Sequence, residues 1–248
     1  MATKVNDSIL TNGVEMDGSY ALNDHHTIRA GSMFTISRAV TDSNSLVFPD
    51  SGSGVSGPEE SIPDNHSKQG EQYGLYLQDE WKITDPWTIN FGGRFDQSYQ
   101  YLNEYQFSPR VNTVYEVDKD TKLHGGYARY FTPPPLELEQ NGNPHNFDNT
   151  TAQLEVTDNS PVKAERAHYF DAGITHNFSP ELQVGLDGYY KIAKDQLDSG
   201  QFGAAPIFVP FNFDKGKVYG SELTINYKKG GFSGYSNFAY SRAFGKKK

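Results

Sequence analysis

The feature that most constrains the fold is a two-residue alternation of apolar and polar side chains. It recurs in ten segments of about 10 to 15 residues, separated by Gly, Asn, Asp or Pro. These predicted strands cover residues 12–22, 27–38, 71–83, 87–100, 105–117, 121–131, 166–178, 181–193, 217–228 and 231–243. They are about twice as long as strands of soluble proteins, and they suit a tilted passage through a bilayer. The pattern predicts an all-β protein and favours a membrane barrel over a soluble β-sandwich, which is the alternative.

The connections between these segments differ in length on the two sides. Short turns are predicted at residues 22–26, 83–87, 117–121, 177–181 and 228–231, and long loops at about 39–70, 132–165 and 194–216. Outer-membrane barrels carry short turns on one rim and long loops on the other. We therefore predict one domain over residues 1–248, an antiparallel up-and-down transmembrane β-barrel of about ten strands. Because ten is even, we expect the first and last strands to pair and close it.

The alternation assigns each side chain to one of two faces. In a transmembrane barrel the apolar face meets lipid and the polar face meets a hydrated lumen. The residues predicted to face lipid are Leu75, Leu77, Trp87, Ile89, Phe91, Leu182, Val184, Leu186, Leu223 and Ile225. Those predicted to face the lumen are Glu15, Asp17, Arg29, Glu80, Arg94, Asp96, Asp187, Lys191 and Glu222, with Lys82, Arg129 and Arg242 as further ionic partners. They would form either a polar channel lining or a salt-bridged filling.

Aromatic residues near the strand ends predict the two membrane interfaces, where an amphipathic ring lies at the head-group level. They are Trp81, Trp87, Tyr99, Tyr101, Tyr115, Tyr130 and Tyr227. The composition is compatible with a membrane barrel that has no conventional core, because only 35% of the residues are hydrophobic while 14% are aromatic. The absence of cysteine excludes disulfides and thiolate zinc sites, and the net charge of -9 gives no footprint for nucleic acid.

Four segments, taken in order, carry a family resemblance. They are "YGLYLQDEWKITDPWTINFGGRFDQ" (73–97), "FSPRVNTVYEVDKDTKLHGGYARYFTPPPLE" (107–137), "HYFDAGITHNFSPELQVGLDGYYK" (168–191) and "VYGSELTINYKKGGFSGYSNFAYSRA" (218–243). Together they resemble the β-barrel of TonB-dependent outer-membrane receptors. The resemblance implies a 22-stranded barrel with a plug, importing siderophores, cobalamin or glycans with energy supplied by a TonB-type protein.

The sequence also departs from that family. No segment resembles a plug, a TonB box or a signal peptide, and at about 25 residues per strand a 22-stranded barrel needs about 550 residues. We therefore expect a fragment or derivative of a receptor in the bacterial outer membrane, in contact with lipid or detergent and not competent alone for gated transport. The alternatives are a small passive pore and an omptin-like protease, whose candidate residues would be Asp64, His66, His145 and Asp148 in long loops.

The remaining candidates for chemistry are sparse. The only adjacent histidines, His25 and His26, would point to opposite faces and cannot share a metal ion. We predict no enzyme, no catalytic residue, no cofactor and no metal site. One long loop carries an apolar cluster that either folds over the barrel mouth or packs on its neighbours: Phe202, Phe208, Phe211 and Phe213.

Overall fold

Antiparallel strands make up most of the computed structural model, which describes residues 2–136, 144–153, 161–201 and 208–246. The strands are β1 (Ala2–Lys4), β2 (Asp7–Ala21), β3 (His26–Val47), β4 (Glu60–Thr84), β5 (Trp87–Tyr99), β6 (Asn103–Glu116), β7 (Thr121–Thr132), β8 (Glu165–Ser179), β9 (Leu182–Gln201), β10 (Phe208–Lys229) and β11 (Phe232–Lys246). A 3-10 helix, Pro144–Phe147, lies between β7 and β8. The predicted all-β, up-and-down fold class is confirmed. No helix in the described ranges is long and apolar enough to cross a membrane.

The first two strands act as one edge strand of the sheet. Both pair with β3, and Ala2 lies opposite Leu46 just as Asp7 lies opposite Thr41, with no change of register between them. Every later strand pairs with its successor along the chain, from β3 to β11. The sheet therefore has ten strand positions, as the alternation predicts.

The five predicted short turns are present on one rim, between β2 and β3, β4 and β5, β6 and β7, β8 and β9, and β10 and β11. On the opposite rim the connections vary. Residues 48–59 join β3 to β4, whereas three residues, 100–102, join β5 to β6. The short turns are thus segregated as predicted, but one connection on the long-loop rim is also tight.

The strands reach further into the predicted long loops than expected. Strand β3 continues to Val47 and β4 begins at Glu60, so much of the predicted loop 39–70 is a hairpin. Strands β9 and β10 likewise occupy most of the predicted loop 194–216. In the first hairpin Asp42 lies opposite Asn65 and Ser43 opposite Asp64, so both faces are polar. The alternation of apolar and polar side chains is absent in this segment, although the backbone hydrogen-bond ladder between β3 and β4 continues.

The predicted pairing of the first and last strands is wrong for the part of the chain that the structure describes. Strand β2 pairs with β3 and β11 pairs with β10, and no ladder joins β2 to β11. Every residue of both strands is exposed. The barrel-like sheet therefore has two open edges, each with backbone groups available to another strand.

Within the described ranges, the apolar side chains have no second layer to pack against. Leu75 and Leu77 are each 59% exposed, and Leu186 is 51% exposed. The buried apolar residues are mostly small and lie toward the long-loop rim, such as Ala39, Val47 and Ala164. A soluble sandwich would bury the leucines in a common core, so this sheet lacks the packing of a sandwich.

Candidate functional site

The strand registers divide the side chains between two faces. Directly opposite residues share a face, so each ladder carries the assignment to the next strand. Asp187, for example, lies opposite Glu222, and Leu186 lies opposite Leu223. We followed these assignments across all the ladders. The nine residues predicted to face the lumen lie on one face, which we call the polar face. The ten residues predicted to face lipid lie on the other, which we call the apolar face. That each face meets lumen or lipid stays a prediction.

The polar face is concave. A cavity of about 440 Å³ is lined by residues from Met33 on β3 to Asp171 on β8, and four intervening strands also contribute. In a flat sheet β3 and β8 would lie about 24 Å apart, because neighbouring strands are separated by about 4.8 Å. The sheet therefore curves strongly around its polar side chains. We call this space the wall cavity.

Ion pairs between neighbouring side chains neutralise much of the polar face. Arg29 Nη1 lies 2.9 Å from Glu80 Oε2, and Arg94 Nε donates to Asp96 Oδ1 at 2.6 Å. Nearer the long-loop rim, Lys191 Nζ lies 2.5 Å from the buried Glu165. These contacts follow the alternation of sign expected from the sequence. Other carboxylates of this face accept hydrogen bonds from neutral side chains, as Asp17 does from Tyr76 and Glu222 from Asn237.

Arg110 and Arg129 line the wall cavity without an ion pair to a carboxylate among the described residues. The arginine ion pairs of the described residues belong to Arg29, Arg94 and Arg166, so Arg110 has no carboxylate partner among them. It lines the cavity together with Asn112, which shares its face. An unpaired guanidinium can bind a carboxylate or phosphate in bidentate fashion. Sequence reasoning missed this residue, although the alternation of Arg110 and Asn112 with Val111 could have identified it.

Three residues do not lie where the sequence analysis predicted. Arg129 and Arg242 were expected among the polar partners, but Arg129 lies opposite His168 and Arg242 opposite Tyr219 on the apolar face. Arg129 shares its parity with Leu123 on β7, and Arg242 shares its parity with Phe244 on β11, so the alternation itself places both arginines on the apolar face, although Arg129 also reaches the wall cavity. Tyr130, expected at an interface, instead lines the wall cavity.

The apolar face carries an aromatic layer near the short turns. The ring of Trp81 stacks on His26 at 5.6 Å, and Trp87 meets Tyr115 edge to face at 6.5 Å. His26 Nδ1 also lies 2.6 Å from Asp79 Oδ2, which places a polar pair at the margin of this face. Rings with a polar edge prefer the boundary between hydrocarbon and water. The interfacial role of both tryptophans stays a prediction.

The candidate protease residues form two separate pairs. His66 Nδ1 lies 2.7 Å from Asp64 Oδ1 on β4, rather than in a loop, and His145 Nδ1 lies 3.0 Å from Asp148 Oδ2 beside the 3-10 helix. The two pairs therefore belong to different elements, one to β4 and the other to the 3-10 helix and the residue after it. In the described ranges no three His, Cys, Asp or Glu residues cluster as metal ligands would.

The predicted apolar loop cluster is mostly part of a strand. Phe208, Phe211 and Phe213 belong to β10, and Phe202 lies outside the described residues. The rings of Phe211 and Phe213 meet at 5.0 Å, and Phe213 lies against the backbone of Gly245. Their position on β10 favours packing of these phenylalanines against neighbouring strands over a loop folded across the barrel mouth.

Comparisons with known proteins agree with this geometry. A family model described as TonB dependent receptor-like, beta-barrel matches residues 3–248. The iron-regulated outer membrane virulence protein of Vibrio cholerae serotype O1 (El Tor Inaba N16961) is 25% identical over 193 residues, which cover 70% of this chain and 28% of that protein. The chain thus spans well under half of this curated relative.

Two solved structures show the same fold at low sequence identity. The copper transporter OprC superposes with a TM-score of 0.72 at 15% identity, covering 97% of this chain and 38% of OprC. The ferripyoverdine receptor of Pseudomonas aeruginosa superposes with a TM-score of 0.68 at 15% identity, covering 97% of this chain and 33% of the receptor.

Proposed function

Because the chain belongs to the β-barrel family of TonB-dependent receptors, we propose that its sheet forms part of the wall of an import channel in the bacterial outer membrane. The polar face lines the channel and the apolar face contacts lipid. The observation that carries this proposal is the register, which keeps the two sets of side chains apart across every ladder. A transmembrane wall needs that separation, and the exposure of apolar side chains such as Leu75 and Leu186 distinguishes it from a sheet packed on a dry core.

The parent receptor would import a large or scarce ligand of the siderophore, cobalamin or glycan type. The names of the relatives favour a metal or a metal chelate, since they describe an iron-regulated protein, a copper transporter and a ferripyoverdine receptor. Arg110, Tyr130 and Tyr169 in the wall cavity offer one cation and two hydroxyl groups to such a ligand or to a domain packed inside the barrel. Energy would come from a TonB-type protein acting on another segment of the receptor.

The 248-residue chain alone would not perform gated transport. Strands β2 and β11 leave two open edges in the described sheet. Each unpaired backbone group costs several kcal/mol in hydrocarbon. We propose that further strands of the receptor satisfy both edges and complete the wall.

A chimera tests the proposal directly. Residues 7–246 would replace the matching segment of the Vibrio cholerae relative, and assembly would be read from heat-modifiable electrophoretic mobility. We expect an assembled barrel that takes up a ferric siderophore, and less uptake when Arg110→Gln is added without loss of assembly. Failure of the chimera to assemble, when a chimera rebuilt from the relative's own segment assembles, would contradict the proposal.

Two alternatives predict different behaviour of the chain by itself. A self-contained passive pore gives stable single-channel conductance in planar bilayers, whereas an open wall does not. An omptin-like protease cleaves a peptide library and loses activity in His66→Ala or His145→Ala variants. The observation that favours the protease alternative is the presence of the two His–Asp pairs.

A further inference from the structure

One carboxylate stands among the hydrophobic side chains of the apolar face. Asp79 lies between Leu77 and Trp81 on that face of β4, opposite Ile28 on β3 and Phe91 on β5. A charged side chain on the lipid-facing surface of a membrane barrel lowers its stability. A carboxylate in this position therefore needs a compensating interaction.

His26 supplies part of that compensation. Its Nδ1 lies 2.6 Å from Asp79 Oδ2, whereas Asp79 Oδ1 is buried and has no hydrogen-bond partner among the described residues. No lysine or arginine within the described ranges forms an ion pair with Asp79. An acceptor left without a donor in apolar surroundings is unfavourable, so this carboxylate favours a ligand that donates hydrogen bonds.

The His26–Asp79 pair can be reached from the surface of the sheet. The side chain of Asp79 is 13% exposed and that of His26 is 31% exposed. A carboxylate turns about a broad Cβ–Cγ torsion, so either oxygen can be presented to a ligand. When the imidazole is neutral, it donates one hydrogen bond and the carboxylate keeps its negative charge. The pair can therefore accept a cation that carries N–H groups.

The aromatic layer near the short turns sets the depth of this pair. His26 lies directly opposite Trp81, and the two rings stack at 5.6 Å. Because its carboxylate contacts His26, Asp79 reaches toward the level of the indole, which is 38% exposed. Indole rings prefer the head-group level of a bilayer and attract ammonium groups over their faces. In the proposed membrane arrangement, the pair thus stands at the head-group level beside the short turns.

We propose that Asp79, with His26 and Trp81, binds the primary ammonium group of a phosphatidylethanolamine in the leaflet beside the short turns. A primary ammonium group donates three hydrogen bonds and carries a charge opposite to that of the carboxylate. A choline head group is cationic but has no N–H donor, and a glycerol head group has no positive charge. The hydrophobic residues around Asp79 offer contact to acyl chains, which favours a lipid over a free amine. This inference rests on the proposed contact of the apolar face with lipid.

Titration with short-chain phospholipids tests the proposal. The full chain carrying Trp87→Phe would be folded in detergent micelles, so that the fluorescence of Trp81 reports binding. The ligands are short-chain phosphatidylethanolamine, phosphatidylcholine and phosphatidylglycerol, together with free ethanolamine. We expect phosphatidylethanolamine to bind at least about tenfold more tightly than each of the other three, because it alone combines N–H donors with acyl chains.

The variant Asp79→Asn should abolish the preference for phosphatidylethanolamine over phosphatidylcholine. The amide keeps the shape of the carboxylate and can still accept a hydrogen bond from His26, but it has no charge. The matched control is Glu80→Gln, because Glu80 is the next residue along β4 but lies on the polar face and pairs with Arg29. It should leave the preference unchanged. The readout is a ratio of two affinities, which an unfolded fraction of the sample does not alter.

Four results would overturn the proposal: equal binding of the ethanolamine and choline lipids, an unchanged preference in Asp79→Asn, an equal loss in Glu80→Gln, or binding of free ethanolamine as tight as that of the lipid. Oxygen accessibility of spin labels at positions 223 and 225 measures separately whether the apolar face contacts lipid. Failure of this inference and failure of the proposed function are therefore distinguishable.

Discussion

At the scale of single residues, the polar face is held by local contacts that depend on side-chain size. Arg94 lies over Gly74, where a side chain would collide with its guanidinium. The hydroxyl of Tyr76 donates to Asp17 at 2.5 Å above Gly31 in the same manner. Glycine at these positions lets long polar side chains lie flat across neighbouring strands. The pairing of charges and the placement of glycine are therefore linked.

Gly92 provides a test of this close packing. A Cβ added there would lie 2.7 Å from Gln78 Cα and would also meet the carbonyl oxygen of Leu77, and neither backbone atom can move aside. We expect Gly92→Ala to lower the free energy of unfolding by about 1 to 3 kcal/mol. Gly188→Ala is the control, because its nearest neighbouring atom is 3.9 Å away. Urea unfolding in micelles would measure both, and equal stabilities would contradict the packing argument.

Asp118 offers a residue-scale test in the turn between β6 and β7. The backbone N–H of Asp120, 2.8 Å away, and the Thr121 hydroxyl hold the pKa of the Asp118 carboxyl below its ordinary value of 3.8. A lowered folded-state pKa contributes stability above the unfolded value, and this contribution is lost as pH falls through the folded pKa. We expect the carboxyl ¹³C shift of Asp118 to titrate below pH 3.8. A midpoint at or above that value would refute the turn geometry.

At the scale of strands, the sequence predicts those parts that have one apolar and one polar face. From Trp87 to Tyr99 the alternation is regular, and β5 begins and ends almost where predicted. Residues 41–45 on β3 are polar on both faces and rich in turn-forming types, so periodicity could not separate a strand from a loop. Pairwise contacts such as that of His26 with Asp79 depend on register, which the sequence does not state.

The two tryptophans give an element-scale prediction about the aromatic layer near the short turns. Trp81 and Trp87 are the only tryptophans of the chain, and both lie on the apolar face. In bilayers, lipids brominated near the head group should quench their fluorescence more than lipids brominated at mid-chain. Trp87→Phe would isolate the signal of Trp81. Strongest quenching at mid-chain, or none by either lipid, would contradict an interfacial layer.

At the scale of the whole molecule, the sheet has the organisation of a barrel wall without a closed ring. Its polar face is concave, its apolar face is exposed, and β2 and β11 leave both edges open in the described ranges. Alternation could predict the two faces, since each is a property of one strand. It could not predict closure, because pairing of the outermost strands depends on curvature and on strands from elsewhere in a receptor.

The most direct test of this account is the environment of consecutive residues on one strand. The chain contains no cysteine, so single cysteines at Glu222, Leu223, Thr224 and Ile225 can each carry a spin label in a bilayer-inserted sample. We predict that oxygen, which partitions into lipid, relaxes the labels at 223 and 225 more strongly. A water-soluble nickel complex should relax those at 222 and 224 more strongly. The opposite alternation, or no alternation, would contradict the assignment of the apolar face to lipid.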